Sequence, residues 1–129
     1  MNNEIIEALK NMISAIVSYP VVIGSIPPLN GFSVCFVGGA PSETYRNFDK
    51  NIPLPVLFNG KGEDQQELAS QMNLVHELLT TSKALPYSEN WQIYAIKTTS
   101  FPNLIGREEN KNWVYGSSFS IDYYSKGDN

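Results

Sequence analysis

Few residues of this 129-residue chain have side chains suited to catalysis or metal binding, and they are scattered: one histidine, His76, and one cysteine, Cys35. A Cys–His nucleophile needs the two side chains to meet and a third group to orient the base. Cys35 instead alternates with Val34 and Phe36 in a strand-like run, which suits a small hydrophobe. His76 follows Val75 and lies beside Leu78 and Leu79 at the edge of a helical apolar stripe, so it reads as a structural or surface residue. One Cys and one His cannot supply a tetrahedral metal site. Glu63, Asp64 and Glu67 fall within one helical turn but lack the alternating oxygen ligands of a calcium loop. Their place at a helix start, where negative charge is favoured, accounts for them. Asn59-Gly60-Lys61-Gly62 joins a strand to a helix without the spacing of a phosphate loop, and reads as a turn. Gly38-Gly39 opens a loop and not a helix, so no dinucleotide fingerprint is present. The expectation is a non-enzyme with no catalytic residues, no metal and no cofactor.

Aromatic and arginine side chains on two long loops remain. The first loop, 38–53, carries Tyr45, Arg46 and Phe48, and the second carries Phe101, Asn103, Leu104, Ile105 and Arg107. Aromatics and arginine are the usual anchors of protein interfaces, which makes Tyr45, Arg46, Phe48, Phe101, Asn103 and Arg107 the candidate contact residues. The alternative is that some of them fold back over an open sheet face. Both readings stand at this point.

The elements that must carry these loops follow from hydrophobic spacing. Ile5, Ile6, Leu9, Met12, Ile13, Ile16 and Val17 form one broad stripe of a helix over 4–18, with Asn2 or Asn3 to cap it. An apolar run at 21–26 is broken by Pro27-Pro28, and FSVCFV follows at 32–37; the two can pair, with proline holding the first to a sheet edge. A strand resumes at 54–59. Asp64-x-x-Glu67 has the form of a capping box and opens a helix to about Thr80, with Leu68, Met72, Val75 and Leu79 in line. Trp91 to Thr98 reads as a strand. From Trp113 to Tyr124 the alternation is strict: Trp113, Tyr115, Ser117, Phe119, Ile121 and Tyr123 share one face, which predicts a long antiparallel strand with one wet side. The order is α-β-β-α-β-β, with a third strand before the second helix as the alternative: an α+β fold in which two helices cover one face of an antiparallel or mixed sheet of about four strands. The length predicts a single domain over 1–129, with 124–129 as a disordered tail.

Composition bounds the partners. With 13 acidic and 9 basic residues the net charge is −4, which argues against sequence-specific nucleic-acid binding. Charged residues make up 17% of the chain, and no stretch approaches the ~18 apolar residues of a membrane span. One cysteine and no secretory signal fit a reducing cytoplasm.

Together EIIEALKNMISAI, LPVLFNG, GEDQQELASQMNLVHELL, WQIYAIKTTSFP and NWVYGSSFSIDYY resemble the phage minor capsid and tail-terminator (head–tail joining) structural proteins. The closing Tyr/Phe/Ser alternation is the most telling part, and the Pro-rich segment 20–31 departs from the pattern. The resemblance implies a non-enzymatic virion component present in the host cytoplasm during assembly. It would form a homohexameric ring that stops tail-tube growth, with tail-tube and head-connector proteins as partners. A monomeric cytoplasmic interaction or immunity-type protein is the alternative, followed by a small ligand-binding domain or enzyme.

Overall fold

A computed structural model describes residues 2–24, 30–36, 50–89, 91–109 and 111–125. It has helices α1 (Asn2–Ser14) and α2 (Gln65–Thr81) and strands β1 (Val21–Ile23), β2 (Gly31–Phe36), β3 (Lys50–Gly62), β4 (Trp91–Arg107) and β5 (Trp113–Ser125). The strands form a five-stranded sheet in the order β1-β2-β3-β5-β4. The α+β class is as expected, with one strand more than the four in the simplest reading.

β1 lies at one edge, where the first apolar run is expected, but it runs parallel to β2 in the register Val21↔Phe32 to Ile23↔Val34. All other pairings are antiparallel, so the sheet is mixed. β3 is longer than the 54–59 read from sequence. Residues 50–53, expected in a loop, and Gly60-Lys61-Gly62, expected in a turn, both belong to the strand. The cause is β5, whose thirteen residues pair with β3 throughout, from Lys50↔Ser125 to Gly62↔Trp113. Among the described residues β2 pairs with β3 only as far as Val56, so Pro53 and Pro55 remove no N–H from that ladder.

β4 corrects a second expectation. Residues 101–107 are not a loop: β4 continues to Arg107, paired with β5 as far as Trp113. Register shifts at four places hid this from the alternation, and Pro102 sits within one of them, between Ser100 and Asn103. β5 runs to Ser125, so Tyr124 is strand and not the start of a tail.

One sheet face carries the core. Phe32, Val34, Leu54, Val56, Phe58, Ile93, Ile96, Phe119, Ile121 and Tyr123 are buried there against Ile5, Ile6, Leu9 and Ile13 of α1 and Leu68, Met72, Val75 and Leu79 of α2. Gly60 lets α2 approach. A Cβ at that position would stand 2.8 Å from Phe32 Cε1, 2.9 Å from Leu68 Cδ1 and 2.9 Å from Met72 Sδ. Asp64 caps α2, its Oδ1 accepting from Glu67 N at 3.1 Å. The reciprocal half of the capping box is replaced, because the Glu67 carboxylate accepts from Tyr19 Oη at 2.9 Å. Burial, followed by this bond and the nearby acids, pushes the Tyr19 pKa up to about 12. At the other end of the sheet Trp91 Nε1 donates to Glu4 Oε1 at 2.9 Å, tying β4 to α1.

Candidate functional site

His76 is where the polar chemistry of the molecule concentrates. It is 3% exposed, although its stripe position left a surface role open. Its ring stacks on Phe119 at 4.0 Å between centroids and 18° between planes. Both nitrogens are engaged, Nδ1 with Thr98 Oγ1 at 2.7 Å and Nε2 with Ser117 Oγ at 2.8 Å. The proton positions follow from the far end of the chain. Ser117 Oγ donates to the Phe58 carbonyl at 2.8 Å, and a carbonyl only accepts. The Ser117 proton is therefore spent, His76 Nε2–H donates to Ser117, and Nδ1 accepts from Thr98.

This order is the reverse of what a hydrolase needs, where serine gives its proton to histidine. Ser117 is also 4% exposed, out of reach of a substrate. Burial alone pulls the His76 pKa down to about 4, so the ring is neutral near pH 7. Cys35 is half-buried and alternates with the core residues Phe32 and Val34, which puts it on the sheet face opposite His76. The two cannot form a nucleophile pair. Among the described residues no group of three or more His, Cys, Asp and Glu could hold a metal ion, and no helix is long and apolar enough to cross a membrane.

Beside His76, between α2 and β4, runs a groove of about 550 Å³, with Asn73, Glu77 and Thr80 on one wall and Ile96, Thr98 and Phe101 on the other. Phe101 stands at its mouth, 71% exposed, with its ring 6.3 Å from the imidazole. Leu104, 48% exposed, continues this apolar surface along β4, while Ile105, 63% exposed, stands on the opposite face of the strand. Leu104 pairs with Tyr115 on the helix-covered face, whereas Ile105 lies over Gly116. A Cβ at Gly116 would come 2.7 Å from Ile105 Cδ1, so glycine makes the seat for that side chain.

The candidate contact residues fare differently. Phe101 is fully presented. Asn103 is exposed, and its Nδ2 donates to the Phe101 carbonyl at 2.9 Å, which braces the bulge. Arg107 lies over the Trp113 ring at 4.6 Å and its Nε donates to the Lys111 carbonyl at 3.4 Å, closing the β4–β5 hairpin. Tyr45, Arg46 and Phe48 lie outside the described residues. Sequence reading missed the Lys61–Glu108 ion pair, at 2.9 Å with the lysine side chain 7% exposed, which pins the same hairpin to β3. It also missed Ser117 and Thr98, although a serine on the apolar face of β5 was a signal that a polar partner sits opposite.

These elements define a mixed five-stranded sheet with two helices on one face and an exposed apolar strand edge at β4. No family model matches the chain, and no curated protein matches it. Its fold is similar to that of a chain in the virion of a native gene transfer agent (GTA) particle, with a TM-score of 0.60 and 13% identity, over 94% of this chain and 98% of that one.

Proposed function

We propose that this protein is a phage-type virion structural protein that acts as a tail terminator or a minor capsid, head–tail joining component. It assembles as a ring at the tail end, where it stops tube growth and meets the head. The observation that carries the reading is the likeness, over nearly the whole of both chains, to a chain of a virion particle. The inverted Thr98–His76–Ser117 chain supports a non-enzymatic role, since the Ser117 hydroxyl gives its proton to a carbonyl and not to the histidine. Phe101, Leu104 and Ile105 offer an apolar contact for neighbouring subunits, tail-tube proteins or head-connector proteins. Three such side chains fall well short of the ~800 Å² per partner that a stable interface buries, so ring closure draws on further surface.

Native mass spectrometry over a wide concentration range tests this. A closed species of six copies of the 14.4 kDa chain, about 86 kDa, is expected, either free or on addition of purified tails. A protein that stays monomeric and fails to bind tails overturns it.

A further inference from the structure

We propose that His76 is a proton-operated latch. The neutral ring pins the outer part of β4, Thr98 to Asn103, to α2, and protonation releases that segment with Phe101 while the rest of the sheet holds. The inference concerns the chain itself and stands whatever docks at Phe101.

Donor direction is the first support. The chain Thr98 Oγ1–H to Nδ1, Nε2–H to Ser117 Oγ, Ser117 Oγ–H to the Phe58 carbonyl has one sense only, fixed by that carbonyl. A second proton on the ring sits at Nδ1 and confronts the Thr98 hydroxyl, which must turn its own proton away toward the groove.

The surroundings are the second support. Facing the ring are Phe58 from β3, Ser117 and Phe119 from β5, and Thr98 and Phe101 from β4, none of them charged. The ionisable groups of the adjoining groove are Glu77 on α2 and Lys97 on β4, the latter paired with Asp122 at 3.1 Å. An imidazolium between two phenyl rings gains no carboxylate partner from β3, β4 or β5, so it must take water, and the groove it lines is the route. Opening that route moves Thr98 and Phe101.

The third support is where the β4 ladder is weakest. Register shifts fall between Thr98 and Ser100 and again between Ser100 and Asn103, and Pro102 between them has no N–H to give. Segment 98–103 is therefore the part of β4 least held by backbone bonds, and the His76–Thr98 bond is what fastens it to the helix layer.

The test is a two-dimensional 1H–15N NMR titration of the intact protein from pH 7.5 to 3.5, following the backbone amides and the His76 Cε1 proton. The amides of Thr98–Phe101 and Asn103 are expected to move with the midpoint of His76, while those of β3 do not. Thr98→Val keeps the shape but removes the donor, and should speed amide exchange in 98–103 about fivefold at pH 7, the worth of one ordinary hydrogen bond. The proposal is overturned if those amides stay still through the His76 midpoint. It is also overturned if the whole protein unfolds at that midpoint, or if Thr98→Val leaves 98–103 as protected as before.

Discussion

Replacing Gly60 by alanine is the sharpest test of how α2 is seated on the sheet. The added methyl must share space with Phe32 Cε1, Leu68 Cδ1 and Met72 Sδ, at 2.8, 2.9 and 2.9 Å. All three residues are fully buried. Met72 can swing its sulfur aside, but Phe32 is held by ring stacking to Phe58 at 5.3 Å and to Tyr19 at 5.6 Å. Overfilling a packed core by a methyl group costs about 1–3 kcal/mol. Removing glycine's backbone freedom from a strand returns about 0.5–1 kcal/mol. The net loss for Gly60→Ala is then about 1–2 kcal/mol, read as a lower urea midpoint with an unchanged slope. Combining it with Met72→Ala, which vacates the sulfur position, should cost less than the two changes summed, by about 1 kcal/mol. An alanine variant as stable as the parent, or strict additivity in the double variant, would refute the packing account of this glycine.

Four further outcomes are expected. Asp64→Ala removes the α2 cap and should lower stability by about 1 kcal/mol in a denaturation experiment, with Asp64→Asn close to neutral. The pKa of His76 is about 4 in the fold against 6.5 for the free side chain, so below pH 6.5 the unfolded chain takes the proton first. Its contribution is therefore complete above pH 6.5 and is lost as pH falls toward 4, by about 3 kcal/mol in all; a His76→Phe reference measured at each pH isolates it. Glu108→Gln leaves the buried Lys61 ammonium without its carboxylate and should cost on the order of 1 kcal/mol by thermal unfolding, whereas Lys61→Met should cost less. Phe101→Ser, at a side chain 71% exposed, should change stability by no more than about 0.5 kcal/mol yet abolish assembly in native mass spectrometry.

What could be read in advance depended on how regular each element is. β5 was plain because Ser117, Phe119, Ile121 and Tyr123 keep an unbroken period of two and all four are buried. Both helices were plain from a period of 3.6, with Ile5, Leu9 and Ile13 in α1 and Leu68, Met72, Val75 and Leu79 in α2, although α1 spans Asn2–Ser14 and not 4–18, so Asn2 and Asn3 lie within it and Ile16 and Val17 follow it. The outer half of β4 was hidden because each register shift resets the phase of the alternation, and Pro102 looks like a loop residue. Gly60 and Gly62 looked like a turn because no local signal shows that a thirteen-residue neighbour will hold them extended. At the candidate site the exposure of Phe101 was legible, but not the strand that carries it. The roles of Asn103 and Arg107 were not, since their partners, the Phe101 and Lys111 carbonyls, are defined only once the hairpin is built. The depth of His76 depends on Ser117, 41 residues away, a distance over which spacing carries no information.

The irregular edge of β4 also bears on how copies of this protein avoid pairing with one another through the sheet. An even row of free backbone donors and acceptors is a template on which another strand can zip, and it leads to uncontrolled sheet growth. Here the segment around Tyr87 covers the inner end of the row, with Ile93 N donating to the Pro86 carbonyl at 3.0 Å and Ser88 N to the Trp91 carbonyl at 2.7 Å; beyond it the strand shifts register at three places and lacks a donor at Pro102. A second strand arriving along this edge meets a matched run of only a few residues before it loses register. Crowded copies are thus steered away from fibre-like stacking, and what this edge offers a neighbour is side chains such as Phe101 and Ile105.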